Sequence, residues 1–195
     1  MMILKDILYK VTINAVVGST SIVVDKIEFD SRQIKTNDVF VAISGTITNG
    51  HKYIEKVIED GATAIVCEVL PEILEDGVTY IEVANSSQAL AYMAANYYEH
   101  PSENLKLIGV TGTNGKTTVT SLLYQLFKKA GYKVGLLSTV KIMVDNKAYG
   151  ATHTTPDSLT INKYLKQMNA EGVEFCFMEA SSHGIHQSRT EGLKF

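Results

Sequence analysis

The chain has 195 residues, enough for one large domain or two small ones, and 45% of them are hydrophobic, so a packed core can form. The formal net charge of −3 argues against non-specific binding to nucleic acid, which requires a basic surface. The N-terminus lacks the pattern of a signal peptide, and no apolar run approaches the roughly 20 residues that span a membrane. We therefore expect a cytoplasmic monomer with no membrane or nucleic-acid partner. Its two cysteines, Cys67 and Cys176, are expected to be buried free thiols.

The first half of the chain is predicted to be a small α/β domain, residues 1–100. Its predicted strands cover 22–29, 39–43, 64–69 and 78–83. One helix is predicted at 53–60, ended by Gly61, and a second runs from a cap at Asn85 to about residue 98. His100 and Pro101 end that helix and form the best candidate for a linker.

The second half alternates strands and helices. Strands are predicted at 105–110, 134–137 and 173–178, a hairpin at 142–149, and helices from Lys116 to about residue 130 and from Thr155, which can cap its helix before Pro156. This order predicts a mostly parallel sheet with ligands at the carboxyl ends of its strands. Only about three α/β units are present, so residues 101–195 are expected to be an incomplete nucleotide-binding domain of a truncated protein.

A glycine-rich segment between a strand and a helix predicts a phosphate-binding loop. Glycines allow backbone N–H groups to converge on phosphate oxygens, and the helix N-terminus adds partial positive charge. Lys116 would reach the β- and γ-phosphates, and Thr117 would bind Mg²⁺ through its hydroxyl. The general motif has a glycine where this chain has Val110, which indicates a subtype. The predicted ATP-binding residues are Gly112, Thr113, Asn114, Gly115, Lys116, Thr117 and Thr118.

Other polar residues lie near the predicted carboxyl end of the sheet. Glu179 ends a buried strand, and a carboxylate in that position of a P-loop protein commonly holds Mg²⁺ or its water. An exposed strand-end glutamate is the alternative. His183 is expected to tie its loop together by a hydrogen bond rather than to contact metal or phosphate. Arg189 suits a carboxylate or phosphate through paired hydrogen bonds.

These motifs, taken in order, resemble those of the Mur ligases, and most closely the MurE type. The resemblance rests on the P-loop run from Leu107 to Thr118, on Thr154-Thr155-Pro156 and on the run from Met178 to Gly184. In the first half, Asp30-Ser31-Arg32 and Gly50-His51 resemble the UDP-binding domain of those enzymes. The resemblance covers essentially the whole chain, but this chain corresponds to under half of a complete family member.

The resemblance implies an ATP- and Mg²⁺-dependent ligase of peptidoglycan synthesis, with Lys116 and Glu179 catalytic and Mg²⁺ held by Thr117 and Glu179. ATP would activate the terminal carboxylate of UDP-N-acetylmuramoyl-L-alanyl-D-glutamate as an acyl phosphate, and the amine of a diamino acid would displace phosphate. Whether that diamino acid is meso-diaminopimelate or L-lysine stays open. The implied contacts to the muramoyl-peptide substrate come from Ser31, Thr154, Thr155, Ser181, Gln187 and Arg189.

Three other interpretations remain. Another P-loop enzyme, a kinase or nucleotide hydrolase, would leave the first domain and the Thr-Thr-Pro and Ser-Ser-His runs unexplained. A non-catalytic nucleotide-binding fragment is a second possibility. A third lies within the family, such as the MurF type, which shares the Asp-Ser-Arg region but is disfavoured by the Ser-Ser-His run.

Overall fold

The computed structural model describes residues 1–45, 48–151 and 153–195. Contacts within the chain divide it into two compact units, Met1–Tyr97 and Tyr98–Phe195. Across the described residues, none of the helices combines the length and the apolar character needed to cross a bilayer.

The first unit is built on a five-stranded sheet. Its elements are β1 (Met2–Ile3), α1 (Leu4–Ile7), β2 (Ile13–Val17), β3 (Val23–Val24), β4 (Ile27–Glu28), β5 (Val39–Val41), α2 (Ile54–Glu59), β6 (Ala64–Cys67), β7 (Thr79–Val83) and α3 (Ser86–Tyr97). The sheet order is β2-β7-β6-β5-β4, in which β4 to β7 are parallel and β2 is antiparallel. The strands β5 and β6 are buried along their whole length, as their apolar runs indicate.

The predicted single strand over 22–29 is wrong, because this segment serves two different sheets. β3 pairs antiparallel with β1, whereas β4 pairs parallel with β5. Between them, the N–H of Asp25 donates to the carbonyl of Asn37, 2.9 Å away. The elements α1 and β2 were not predicted.

The second unit contains a mixed sheet. Its elements are β8 (Lys106–Val110), α4 (Lys116–Lys129), β9 (Val134–Leu137), β10 (Lys141–Val144), β11 (Lys147–Gly150), α5 (Ser158–Ala170), β12 (Phe175–Glu179) and α6 (Ser182–His186). The order is β11-β10-β9-β12-β8, so β8 is the outer strand on one side. The strands β9, β12 and β8 are parallel, and the β10–β11 hairpin extends the sheet antiparallel, which confirms the predicted α/β class and hairpin.

Helices cover both faces of this sheet. Alternate residues of β12 point to opposite faces, as the pleat requires. Cys176 and Met178 pack in one cluster with Ile161 and Leu165 of α5. Phe177 packs in another with Tyr124 of α4. The carboxyl ends of the three parallel strands therefore remain at one open edge of the layer structure.

The predicted helix start at Thr155 is also wrong. The helix α5 begins at Ser158 with Asp157 as its N-cap. Asp157 accepts the Thr160 N–H at 2.8 Å through Oδ1 and the Thr160 hydroxyl at 2.7 Å through Oδ2. Aspartate is a better N-cap than threonine for the free N–H groups of the first turn. The Thr155 hydroxyl instead bonds to the backbone at Glu179 and Ser181.

Candidate active site

The glycine-rich loop joins the end of β8 to the start of α4. Gly115 caps α4 in the left-handed conformation (φ 83°), and Gly112 also has positive φ (142°), so both glycines adopt backbone that side chains disfavour. The residues between them are exposed. Lys116 bends back over this loop, and its Nζ donates to the carbonyl oxygen of Gly112 at 2.7 Å. The geometry is that of a helix N-terminus open to an anion, with a cation beside it.

Glu179 lies at the end of β12, between the loop strand β8 and β9. It is fully buried, yet its carboxylate accepts three hydrogen bonds. The Thr117 hydroxyl donates to Oε2 at 3.0 Å, and Thr139 donates its N–H to Oε1 at 2.9 Å and its hydroxyl to Oε2 at 3.1 Å. The three donors are neutral, so they orient the carboxylate without cancelling its charge.

These residues fit a magnesium ion. Mg²⁺ prefers hard oxygen ligands and commonly takes one or two from protein, with the rest from phosphate and water. The Thr117 hydroxyl and the Glu179 carboxylate provide two such oxygens beside the phosphate loop. In the part of the chain that the structure describes, no three His, Cys, Asp or Glu side chains form a group that could hold a metal. A cation here would therefore complete its shell with phosphate oxygens and water.

Thr155 and Ser181 organise the segment after Glu179. The Thr155 hydroxyl donates to the carbonyl of Glu179 and accepts the N–H of Ser181, both at 2.9 Å. Ser181 caps α6 by accepting the N–H of Gly184 at 3.1 Å. A Cβ on Gly184 would lie 2.7 Å from that of Thr155, so only glycine fits this approach. Thr155 is 1% exposed, and its hydroxyl is used in these internal hydrogen bonds. Its contact with substrate stays a prediction.

Arg189 and Gln187 lie close to the same threonine. Arg189 donates through Nε and Nη2 to the Gln187 side-chain oxygen, at 3.0 and 2.6 Å, and through Nη1 to the carbonyl of Thr155 at 2.5 Å. Thr155, Ser181, Gln187 and Arg189 thus form one connected group, and Thr154 adjoins it in sequence. His183 is exposed on α6.

The Asp-Ser-Arg segment of the first unit forms a 3₁₀ turn at Ser31–Gln33, capped by Asp30. Asp30 accepts the Arg32 backbone N–H at 3.1 Å and its guanidinium at 2.9 and 2.7 Å. Arg32 holds the pKa of the Asp30 carboxyl below its usual value through these side-chain hydrogen bonds. Ser31 is half-buried at the first position of this turn, and its contact with substrate stays a prediction.

A cavity of about 470 Å³ in the first unit is lined by Ser44, Asn49, His51 and Glu68, among others. His51 Nε2 accepts the N–H of Glu68 at 2.8 Å, so its proton lies on Nδ1, which bonds the Asn49 oxygen at 2.9 Å. Ser31 does not line this cavity. The Gly50-His51 pair was noted in sequence, but its contacts to Asn49 and Glu68 were not predicted.

Two family models match the chain. One, for the Mur ligase middle domain, covers residues 110–195, and another, for the Mur ligase family catalytic domain, covers residues 23–98. The chain belongs to the Mur ligase family. The residues identified by motif thus lie in a Mur ligase fold, with the P-loop and Glu179 in its middle domain.

Curated Mur ligases match nearly the whole chain. Proteins from Cytophaga hutchinsonii, Bacteroides fragilis and Clostridium tetani are 50%, 48% and 45% identical to it over 98% of its length. Each is named UDP-N-acetylmuramoyl-L-alanyl-D-glutamate–2,6-diaminopimelate ligase. The chain spans about 40% of the length of each of these relatives.

Solved structures of Mur ligases share the fold. A UDP-N-acetylmuramoyl-L-alanyl-D-glutamate–2,6-diaminopimelate ligase superposes with a TM-score of 0.77 over 98% of this chain and 38% of its own, at 24% identity. A MurF from Acinetobacter baumannii reaches 0.55 over 82% of this chain and 31% of its own, at 21% identity. The fold of this chain is therefore more similar to the former.

Thr139 was missed by the sequence interpretation, although a signal existed. It follows β9, and the carboxyl end of β9 lies beside that of β12 because the two strands are parallel neighbours. A polar residue within two positions of the end of a parallel strand is a candidate for the ligand edge. The order of the strands, which the sequence does not reveal, was needed to place Thr139 next to Glu179.

Proposed function

We propose that this chain is the substrate- and ATP-binding part of a cytoplasmic, monomeric ligase that joins 2,6-diaminopimelate to UDP-N-acetylmuramoyl-L-alanyl-D-glutamate in peptidoglycan synthesis. The observation that carries the proposal is the identity of 44–50% to five relatives of that name over 98–100% of the chain. Those names favour diaminopimelate over lysine. The better superposition on such a ligase than on MurF favours the same type of reaction.

The geometry suits carboxylate activation by ATP. A carboxylate is a poor electrophile, so one of its oxygens must first become part of a leaving group. In the proposed reaction the γ-phosphoryl group moves to the terminal carboxylate of the acceptor, and the amine then displaces phosphate to leave an amide. Lys116 and the N–H groups of residues 112–118 would stabilise charge on the transferring group.

Thr117 and Glu179 would hold Mg²⁺, which supplies charge neutralisation at the β- and γ-phosphates when bound. The carboxylate of Glu179 is already oriented by hydrogen bonds, so little reorganisation is needed for the cation to bind. This pairing is the structural feature that best supports a phosphoryl-transfer reaction over simple anion binding.

The two units would bind different parts of the substrates. In our proposal residues 1–100 bind the UDP end of the acceptor, with Ser31 donating to the ligand from the turn that Asp30 and Arg32 fix. Residues 101–195 bind ATP. Thr154, Thr155, Ser181, Gln187 and Arg189 would hold the muramoyl-peptide, for which Arg189 offers a cation suited to a carboxylate.

The test is a ligation assay with the full-length protein, ATP, Mg²⁺ and UDP-N-acetylmuramoyl-L-alanyl-D-glutamate. We expect an amide product with meso-diaminopimelate and far less with L-lysine. The comparison assay uses the substrates of the MurF reaction, UDP-N-acetylmuramoyl-tripeptide as acceptor and D-alanyl-D-alanine as the amine. Phosphate release without any amide product from these pairs would refute the proposal and favour a nucleotide hydrolase.

A further inference from the structure

The loop between β9 and β10 is held tightly in place. Ser138 is buried, and its hydroxyl donates to the carbonyl of Lys141 at 2.8 Å while accepting the Lys141 N–H at 3.3 Å. The N–H of Ser138 also donates to the Lys141 carbonyl at 3.2 Å. The two residues between them, Thr139 and Val140, therefore form a short turn with little freedom.

From this turn, Thr139 donates hydrogen bonds to both carboxylate oxygens of Glu179. Its N–H donates to Oε1 of Glu179 at 2.9 Å, and its hydroxyl donates to Oε2 at 3.1 Å. Two donors from one residue, one to each oxygen, fix the rotation of the carboxylate plane as well as its position. A single hydrogen bond would be enough to attach the loop to the sheet, so the second one points to orientation of the carboxylate.

We propose that Thr139 is a positioning residue that orients Glu179 for Mg²⁺; this inference rests on the proposed function. Thr117 also donates to Oε2, but its hydroxyl oxygen would bind the cation at the same time, so this contact would not be independent of the metal. Thr139 supplies two of the three hydrogen bonds to the carboxylate, and neither comes from a proposed metal ligand. Groups that orient a metal ligand commonly change metal affinity by about 10- to 100-fold when they are removed.

The variants separate the hydroxyl from the backbone. Thr139→Val keeps the branched shape and the N–H donor but removes the hydroxyl, whereas Thr139→Ser keeps both donors. Thr63→Val is the matched control in the first unit, because the buried Thr63 hydroxyl has no hydrogen-bond partner among the described residues. All three are made in the full-length protein.

The measurement is binding of a fluorescent ATP analogue, N-methylanthraniloyl-ATP, at increasing Mg²⁺, with thermal unfolding in EDTA as the check on folding. We expect Thr139→Val to raise the half-saturating Mg²⁺ concentration about tenfold or more, and Thr139→Ser and Thr63→Val to stay near wild type. Melting temperatures in EDTA should be nearly equal. This pattern supports the proposal.

Two results would overturn it. One is an unchanged Mg²⁺ requirement in Thr139→Val. The other is a requirement raised equally in Thr139→Ser, together with a lowered melting temperature in both variants, which would make Thr139 a structural residue only. Failure of the proposed function is recognised separately, because wild type would then show no Mg²⁺-dependent binding of the analogue or no ligation.

Discussion

The hydroxyl oxygen of Thr117 lies 3.0 Å from Oε2 of Glu179, although 62 positions separate the two residues. Their proximity follows from the sheet. Glu179 is paired with Val110 at the ends of two parallel strands, and the loop after Val110 leads directly into the helix that carries Thr117. A polar pair at the carboxyl ends of neighbouring parallel strands is where α/β proteins bind their ligands.

Glu179→Gln should reduce turnover of the full-length ligase by about 100-fold while leaving binding of the UDP-linked acceptor nearly unchanged. Glutamine keeps the shape and one acceptor oxygen but removes the anionic ligand for Mg²⁺. Steady-state kinetics and titration calorimetry measure the two effects. Glu174→Gln, an exposed change just before the same strand, is the control. A variant that unfolds would instead assign Glu179 a structural role.

Lys116→Ala should lower kcat by about 100-fold or more, since it removes a cation from the phosphate site. The fold should persist, because the side-chain hydrogen bonds of Lys116 within the described residues go to carbonyls of the exposed loop, at Gly112 and Thr113. Lys129→Ala, at the exposed far end of α4, should behave as wild type. Near-normal turnover in Lys116→Ala, with circular dichroism showing an intact fold, would remove Lys116 from the site.

Several parts of this site could be predicted from sequence because their signals are local. The glycines and Lys116 follow one another in the chain, and the apolar run before Glu179 indicates its buried strand. The structure agrees on the start of α4 at Lys116 and on the strand that ends in Glu179. A local sequence pattern is enough to predict a loop or strand whose residues are consecutive in the chain.

Features that depend on a distant partner were missed or misplaced. The role of Thr139 depends on β9 lying beside β12, and the break within 22–29 depends on β3 and β4 joining different sheets. Thr155 has the residue type of a helix cap, but its hydroxyl binds the backbone at Glu179 and Ser181 instead. For Thr155, the sequence is compatible with either a helix cap or a tertiary contact, and hydrogen bonds to a distant strand select the second.

Ser31→Ala should weaken binding of UDP-N-acetylmuramoyl-L-alanyl-D-glutamate to residues 1–100 by about 2- to 13-fold, as expected for one lost hydrogen bond of about 0.5–1.5 kcal/mol. Titration calorimetry on the purified fragment measures this change, with circular dichroism to verify folding. Ser21→Ala, an exposed serine of the same unit, is the control. Equal affinities for wild type and Ser31→Ala would exclude Ser31 from the site.

Both thiols should resist alkylation in the folded chain. Burial raises the pKa of Cys67 to about 11 and raises that of Cys176 as well, since a thiolate is poorly solvated in the core. At pH 8 only about one Cys67 side chain in a thousand is then ionised. Iodoacetamide followed by mass spectrometry should label neither residue until denaturant is added. Rapid labelling of the native chain would contradict their burial.

Residues 1–195 produced alone should bind nucleotide weakly, form no amide and self-associate as concentration rises. The outer strand β8 leaves one edge of the sheet unpaired among the described strands, and open edges promote association. Val119, Leu122 and Leu126 expose an apolar stripe on α4, on the side opposite Tyr124, which is fastened to the β10–β11 turn.

Catalysis should fail in this chain because nothing in it is assigned to bring the amine to the activated carboxylate, and positioning can contribute about 7–11 kcal/mol in favourable intramolecular reactions. Light scattering across a concentration series tests association, and Leu122→Lys with Leu126→Lys should reduce it. The ligation assay is run on the same samples with ATP, Mg²⁺, UDP-N-acetylmuramoyl-L-alanyl-D-glutamate and meso-diaminopimelate. Product formed at a rate near that of an intact relative would mean that these 195 residues already contain every group the reaction needs.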